Sequence, residues 1–308
     1  MPQPTARQSH LDVALTNLSI AYRNAEYIYD QIFPFVPVAK QTNKYFTFGK
    51  SAWYRDETAV RAPGTRAARA DYTLSTDSYL CVEKALAKQV PIEVIENSDD
   101  PLTPFTRATE YVTDQIMKAQ EISVLGDVFG TGWTSSATPS PTWDDDTSNP
   151  LGDMETAMIS VAALIGREPN IAVMGRQTWR YLKNHPDIID RLKYGQTAGG
   201  PAAGSLAGLA ALVGIDKILV SAALKDSGNE GGTASLDFIA GKHMWFGYVT
   251  PSPALDSPTA GYIFTWKSRV VNRYNEDQEH ADVVECLASW DTKVTAADAG
   301  YLCKSAVA

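Results

Sequence analysis

Ala59-Val60-Arg61-Ala62-Pro63-Gly64-Thr65-Arg66-Ala67-Ala68-Arg69-Ala70 is a stretch with hardly a large apolar side chain, three arginines and no carboxylate. Pro63-Gly64 at its centre is a strong turn signal. Arg55, Asp56 and Glu57 precede it and Asp71 follows. Residues 50–75 therefore read as a two-armed, hairpin-like excursion with its tip near Pro63-Gly64. Such a segment buries little of itself, so it must either move freely or pack on another molecule. On its N-terminal side, Lys44-Tyr45-Phe46-Thr47-Phe48 reads as a strand bounded by Gly49. On its C-terminal side, Asp71 to Val90 reads as the returning strand, although Glu83 to Lys88 fits helix and strand equally. Further upstream, Pro34 and Pro37 within Tyr27 to Val38 argue against a helix and for extended chain. Residues 1–30 are polar and sparsely apolar, suited to an arm or a short helix and not to a core.

Beyond the return strand, Thr103-Pro104 opens a helix, with Thr103 at the N-cap and proline in the first turn. Phe105, Val112, Ile116, Ala119, Ile122 and Phe129 recur at helical spacings up to Gly130. A helix over 103–129 would be about 40 Å long. Phe105, Val112, Ile116 and Ile122 are the residues expected to carry its packing. Residues 130–152, rich in Gly, Ser, Thr, Pro and Asp, read as a connector. Asp153 can cap a helix whose apolar face is Met154, Ala157, Met158, Val161, Leu164 and Ile165, ending at Gly166. Short elements follow: a strand at 171–175, helices over 177–182 and 186–192, a helix capped by Ser205, and strands near 218–220, 238–240 and 244–246. Residues 262–274 and 282–294 alternate in polarity around Asn275-Glu276-Asp277-Gln278-Glu279-His280 and make a long antiparallel hairpin. Tyr301-Leu302-Cys303 is a last short strand.

Composition narrows the function. Apolar residues make up 44% of the 308, enough for a sizeable core, and a net charge of −9 argues against a basic nucleic-acid binder. Cys81, Cys286 and Cys303 are far apart and form no C-x-x-C pair, so they read as reduced structural thiols. No phosphate- or dinucleotide-binding glycine pattern occurs, nor a G-x-S-x-G elbow. Asp144-Asp145-Asp146 with Ser148 and Asn149 offers oxygen ligands for Ca²⁺, but without EF-hand spacing, and a solvated acidic loop is the simpler reading. His10, His185, His243 and His280 lie outside metal-ligand spacing of one another. A Ser–His or Cys–His dyad assembled in space stays open at this stage. Trp245, Trp266 and Trp290 could stack bases, but core and interface packing suits an acidic chain better. No catalytic, cofactor-binding or metal-binding residue is assigned, and no cofactor is expected. The N-terminus lacks an apolar signal core, and no run of about 18 apolar residues suggests a membrane span.

Three stretches carry a resemblance. The first is Ala14 to Tyr22 leading into Ile28-Tyr29-Asp30-Gln31-Ile32-Phe33-Pro34 and Val36-Pro37-Val38. The second is Trp53-Tyr54-Arg55 with Arg61-Ala62-Pro63-Gly64, then Tyr72. The third is Met174-Gly175-Arg176, Leu182-Lys183-Asn184-His185-Pro186 and Asp190-Arg191-Leu192-Lys193-Tyr194, followed by Leu206-Ala207 and Ile215 to Val220. In that order they resemble the major capsid proteins of tailed bacteriophages of the Hong Kong 97 type, over nearly the whole chain. The resemblance implies an α+β fold with an N-terminal arm (1–30), a first strand and extended β-loop (31–92), and a peripheral domain (93–152) with a spine helix at 103–129. An axial domain (153–250) and a peripheral hairpin with a C-terminal strand (251–308) complete it. It further implies a structural subunit, not an enzyme, that self-assembles from hexamers and pentamers into an icosahedral virion shell around double-stranded DNA, in the host cytoplasm. A separate scaffolding protein and a portal would be its partners, with no membrane and no sequence-specific DNA contact. Arg55, Arg61, Pro63, Gly64, Arg66 and Arg69 of the extended loop would then contact a neighbouring subunit. The lysine–asparagine crosslink of some members carries over to no residue here. Two alternatives are an encapsulin-like compartment of the same fold holding protein cargo, and a soluble α+β enzyme.

Overall fold

The computed structural model describes residues 27–48, 50, 54–96, 103–195, 205–228, 232–233, 235–253 and 257–308. The expected arm up to residue 26 and the Gly/Ala-rich loop after Gly195 lie outside the described residues. Tyr29–Ile32 forms one helical turn, α1, where extended chain was expected; Pro34 stops it, and β1 (Phe35–Pro37) follows. Next, β2 (Thr42–Phe48) pairs antiparallel with β3 (Leu74–Leu80), Thr42 opposite Leu80 and Phe48 opposite Leu74. Residues 54–73 therefore leave the end of a two-stranded ribbon, as the Pro63-Gly64 signal suggests.

At Cys81 the chain changes sheets. β4 (Val82–Pro91) includes the ambiguous Glu83–Lys88 stretch, which is strand throughout. Local propensity is neutral there, and pairing decides it: β4 lies along a later strand from Val82↔Trp290 to Pro91↔Ala281. A short helix, α2 (Ile92–Glu96), precedes the long helix α3 (Pro104–Val128), which at 1.5 Å per residue is about 38 Å long. Thr103 occupies the N-cap position, but its side chain makes no capping hydrogen bond. The buried positions of α3 come in pairs four apart: Ala108/Thr109, Val112/Thr113, Ile116/Met117, Gln120/Glu121 and Val124/Leu125. Val112 and Ile116 carry the packing as expected. Ile122 does not, being 38% exposed. Six residues after Ile116, at 100° per residue, it points about 120° away from the buried stripe. Phe105 is half-buried under the Arg273 guanidinium, 3.7 Å from its ring centre.

The connector after α3 is more structured than its composition suggests. β5 (Ser135–Ala137) joins a sheet, and Trp143 is fully buried, its backbone N–H donating to the Ala306 carbonyl at 2.7 Å. Helix α4 (Pro150–Ile165) is capped by Asn149, whose Oδ1 accepts from Gly152 N at 3.0 Å, with Pro150 in the first turn. Asp153, the expected cap, sits one turn in and instead accepts from Trp143 Nε1 at 2.8 Å. Asn149→Ala should therefore lower stability by roughly 1 kcal/mol, read as a lower melting temperature, while Asp153→Asn should leave the helix start intact.

Strand β6 (Ile171–Gly175), helices α5 (Arg176–Leu182), α6 (Pro186–Gly195) and α7 (Leu206–Val213), and strand β7 (Lys217–Ser221) come next. Ser205 caps α7 as expected, accepting from Gly208 N at 3.0 Å. A small hairpin of β8 (Leu224–Asp226) and β9 (Leu236–Phe238) precedes β10 (Met244–Gly247). Residues 239 and 240, expected to continue a strand, form a turn. β11 (Gly261–Glu276) and β12 (Ala281–Val294) make the long hairpin, with two register shifts between Thr265 and Val270. Those shifts break the simple alternation: Lys267 and Arg273 are exposed, Arg269 is half-buried, and Val271 between them is buried. β13 (Gly300–Cys303) ends the order.

Two larger sheets result. One has the order β1-β11-β12-β4 and carries α3 on one face; the other has the order β5-β13-β10-β6-β7 and carries α4 and its neighbours. The second sheet draws β5 from residues assigned by sequence to the peripheral segment, and β13 from the chain's end. One core joins the sheets through three rings: Phe33 meets Trp245 edge-on at 6.1 Å, and Trp245 meets Trp133 at 5.1 Å. Gly300 lies so close to Trp133 and Trp245 that any β-carbon there would overlap both rings.

Candidate inter-subunit surface

The β2–β3 ribbon has two unlike faces. Tyr45, Asp77 and Tyr79 fall on one, Phe46 and Leu74 on the other. The first face is rooted in a small separate core of Tyr79, Cys81 and Phe264, ringed by Val36, Val38, Tyr45, Tyr262 and Trp266. Tyr79 stacks on Phe264 at 4.6 Å, and Leu80 N donates to Asp291 Oδ2 at 2.9 Å. The Tyr45 hydroxyl donates to Asp77 at 2.8 Å; burial first, then this bond to an anion, pushes the phenol up. The second face is bare: Phe46 is 60% exposed and Leu74 49%. A two-stranded ribbon with an open apolar face is not self-supporting in water.

Beyond the ribbon the loop is tied down at its base. The Tyr54 hydroxyl donates to the Ile165 carbonyl at the end of α4 (2.7 Å), and Lys50 forms an ion pair with Asp298. Between Arg55 and Thr65, the side-chain and turn hydrogen bonds join loop residues to one another among the described residues. Arg55 pairs with Glu57, and Asp56 accepts from Thr58 N and Oγ1. Pro63 and Gly64 form the expected turn, with Gly64 at φ +79° and Thr65 N donating to the Ala62 carbonyl at 3.2 Å. Arg61 Nε donates to the Thr65 carbonyl at 2.6 Å and braces that turn. Arg66 and Arg69 reach into solvent, and Val60 is completely exposed. The loop arginines thus come together on one projecting arm; Phe105, Val112 and Ile116 lie elsewhere, inside the subunit.

The other sequence candidates have ordinary duties. Asp144 accepts from the Thr142 side chain and from Ala308 N, and Asp145 accepts from Thr147 N and Oγ1, which holds both carboxyls below their usual range. Among the described residues no group of three or more His, Cys, Asp or Glu side chains could hold a metal, and no helix is long and apolar enough to cross a membrane. A Ser–His pair does form: Ser148 Oγ lies 3.1 Å from His185 Nε2. His185 Nδ1, however, accepts from Asp187 N (3.3 Å), which assigns the ring proton to Nε2, facing the Asp145 carbonyl at 3.2 Å. A nitrogen that already carries a proton cannot take one from Ser148. The buried pair braces the 145–148 loop against α6. Trp245 and Trp290 are buried, so neither can stack a base.

No family model matches the chain. It is 28% identical, over 97% of each chain, to the major capsid protein of Pseudomonas phage JBD67. A crystal structure of a phage-related protein from Bordetella bronchiseptica RB50 superposes with a TM-score of 0.75, covering 97% of this chain and 98% of that one at 27% identity. The chain is a shell-forming subunit of the phage major capsid protein type. Its Hong Kong 97-type fold also matches the capsid of cyanophage P-SCSP1u, with a TM-score of 0.61 over 92% of this chain and 89% of that one, at 10% identity.

On the division that the resemblance implies, α3 would be the spine helix, the β1-β11-β12-β4 sheet the peripheral one, the β5-β13-β10-β6-β7 sheet the axial one, and the β2–β3 ribbon with residues 54–73 the extended loop. Sequence reasoning missed the apolar outer face of the ribbon and the Tyr54 anchor. The first had a signal: Phe46 and Phe48 stand two apart in a stretch that reads as a strand, the spacing of one face. The second had none, because Tyr54 and Ile165 are joined only by the fold.

Proposed function

We propose that this subunit builds the icosahedral shell of a tailed phage from hexamers and pentamers, enclosing double-stranded DNA. Assembly takes place in the host cytoplasm with a separate scaffolding protein and a portal, and the extended loop lies on a neighbouring subunit. End-to-end similarity to a phage major capsid protein carries this reading. The loop supports it: Arg61, Arg66 and Arg69 stand exposed on an arm with an apolar face at its base, a surface offered to a neighbour. A net charge of −9 fits a wall that encloses DNA without gripping it. The buried, proton-blocked Ser148–His185 pair favours a purely structural role. Contacts made by polar arms are individually weak, which lets a misplaced subunit leave a growing shell.

The alternative of a compartment with protein cargo differs in content. Particles purified from a host carrying the phage genes, treated with nuclease and then opened, are expected to release protected double-stranded DNA. Particles that hold only protein would replace the phage-shell reading with the compartment.

A further inference from the structure

Glu121 lies in the C-terminal third of the spine helix and is fully buried. Its carboxyl touches three elements at once. Oε2 accepts from Ile28 N at 3.0 Å and from Tyr29 N at 2.8 Å, at the start of α1. Oε1 lies 3.1 Å from Ser221 Oγ, at the end of axial strand β7. Tyr27, Ile28, Tyr29, Ile32 and Phe33 are all buried, so this carboxyl sits where the chain's entry segment, the spine helix and the axial sheet meet.

We propose that Glu121 is a proton-sensitive latch, tying residues 27–33 and β7 to the spine helix most strongly when its carboxyl carries a proton. The geometry suits either state. Ionised, the group accepts all three hydrogen bonds. Protonated, Oε2 still accepts both amides while Oε1–H donates to Ser221 Oγ, whose hydroxyl can serve as donor or acceptor. Proton uptake therefore breaks no contact and removes a buried charge.

Among the described residues, nothing nearby neutralises that charge. Asp30 on α1 is itself negative. On the spine helix, Lys118 pairs with Asp114 at 4.0 Å, and Asp114 also accepts from the Tyr27 hydroxyl. β7 presents Ser221 here, while its lysine, Lys217, stands at the other end of the strand, about 13 Å along it. Burial accordingly pushes the Glu121 carboxyl up to about 7, against the pull of the two amides and Ser221, with Asp30 adding to the rise. The closed junction thus holds its proton to a higher pH than an open one, in which the carboxyl is hydrated and ordinary. The added stability is complete below the open-state value near 4.5 and is lost as pH rises towards 7, beyond which nothing further changes. Within that window the opening equilibrium rises by up to about tenfold per pH unit.

The test is hydrogen exchange of the full chain, in one assembly state at every pH, followed on the segment 27–33 and corrected for the intrinsic pH dependence of exchange. Wild type should lose at least about tenfold in protection between pH 5 and 7.5, with no further loss above. Glu121→Gln, permanently uncharged, should keep nearly constant protection over the same range. Ser221→Ala removes a bond that favours the charged form, so its protection loss should end at higher pH; it also supplies the test if the glutamine variant does not fold. Asp127, on the same helix and pushed up to about 6 by burial, is intact in all three proteins, so its effect cancels in the comparison. Equal wild-type protection at both pH values, or the same pH dependence in Glu121→Gln, overturns the latch.

Discussion

Replacing Ile116 with aspartate is expected to leave no folded subunit. Ile116 is 3% exposed in the centre of the spine helix's buried stripe, which packs on β4 and β12. The substitution removes an apolar side chain and puts a carboxylate where water cannot reach it. An unpaired buried carboxylate costs several kcal/mol, even after it protonates to avoid the charge. A whole domain is stable by only about 5–15 kcal/mol. The same substitution six residues on gives the control. Ile122→Asp faces solvent and should change stability by no more than about 0.5 kcal/mol. Expression, solubility and thermal melting of the two variants read the difference. A soluble Ile116→Asp protein with wild-type melting would show that this face of the helix is not buried.

Reversing Arg61 and Arg66 to glutamate should do the opposite, sparing the fold and abolishing the shell. Both sit on the loop arm beside the Pro63-Gly64 turn, and among the described residues Arg61 bonds only to the Thr65 carbonyl. The subunit core loses nothing, so circular dichroism and melting should match wild type. If the arm lies on a neighbour in this acidic protein, each reversed charge turns attraction into repulsion. One exposed contact is worth only about 1 kcal/mol, but every copy in a closed shell repeats it. Particle yield, measured by sedimentation, should fall to background. Normal particles from the double variant would remove the electrostatic contact from the account, and loss of the fold would make the loop part of the core.

Much of this architecture is legible in the sequence where one physical signal dominates. The spine helix shows itself through Thr103-Pro104 and a long apolar stripe, the late hairpin through alternation around a charged turn, and the extended loop through its want of anything to bury. Single residues are harder. Ile122 is apolar and near the stripe, and only the true phase of the helix, set by pairs such as Ile116/Met117 and Val124/Leu125, turns it outward. Asp153 is a good cap by type, but Pro150 already marks the first turn and hands the cap to Asn149. Trp143 is hidden in a run of polar residues because its partners, Asp153 and Ala306, come later in the chain. Glu121 reads as one more polar residue on a helix. Its burial depends on amides 93 and 92 residues earlier and a hydroxyl 100 residues later, which no local pattern reports.

Electron microscopy of the purified full chain, alone and with lysate of the phage host, tests the central claim most directly. A shell-forming subunit should yield closed, hollow particles or the hexamers and pentamers from which they are built. A monomer as the sole species under both conditions, well folded and at high concentration, would contradict it.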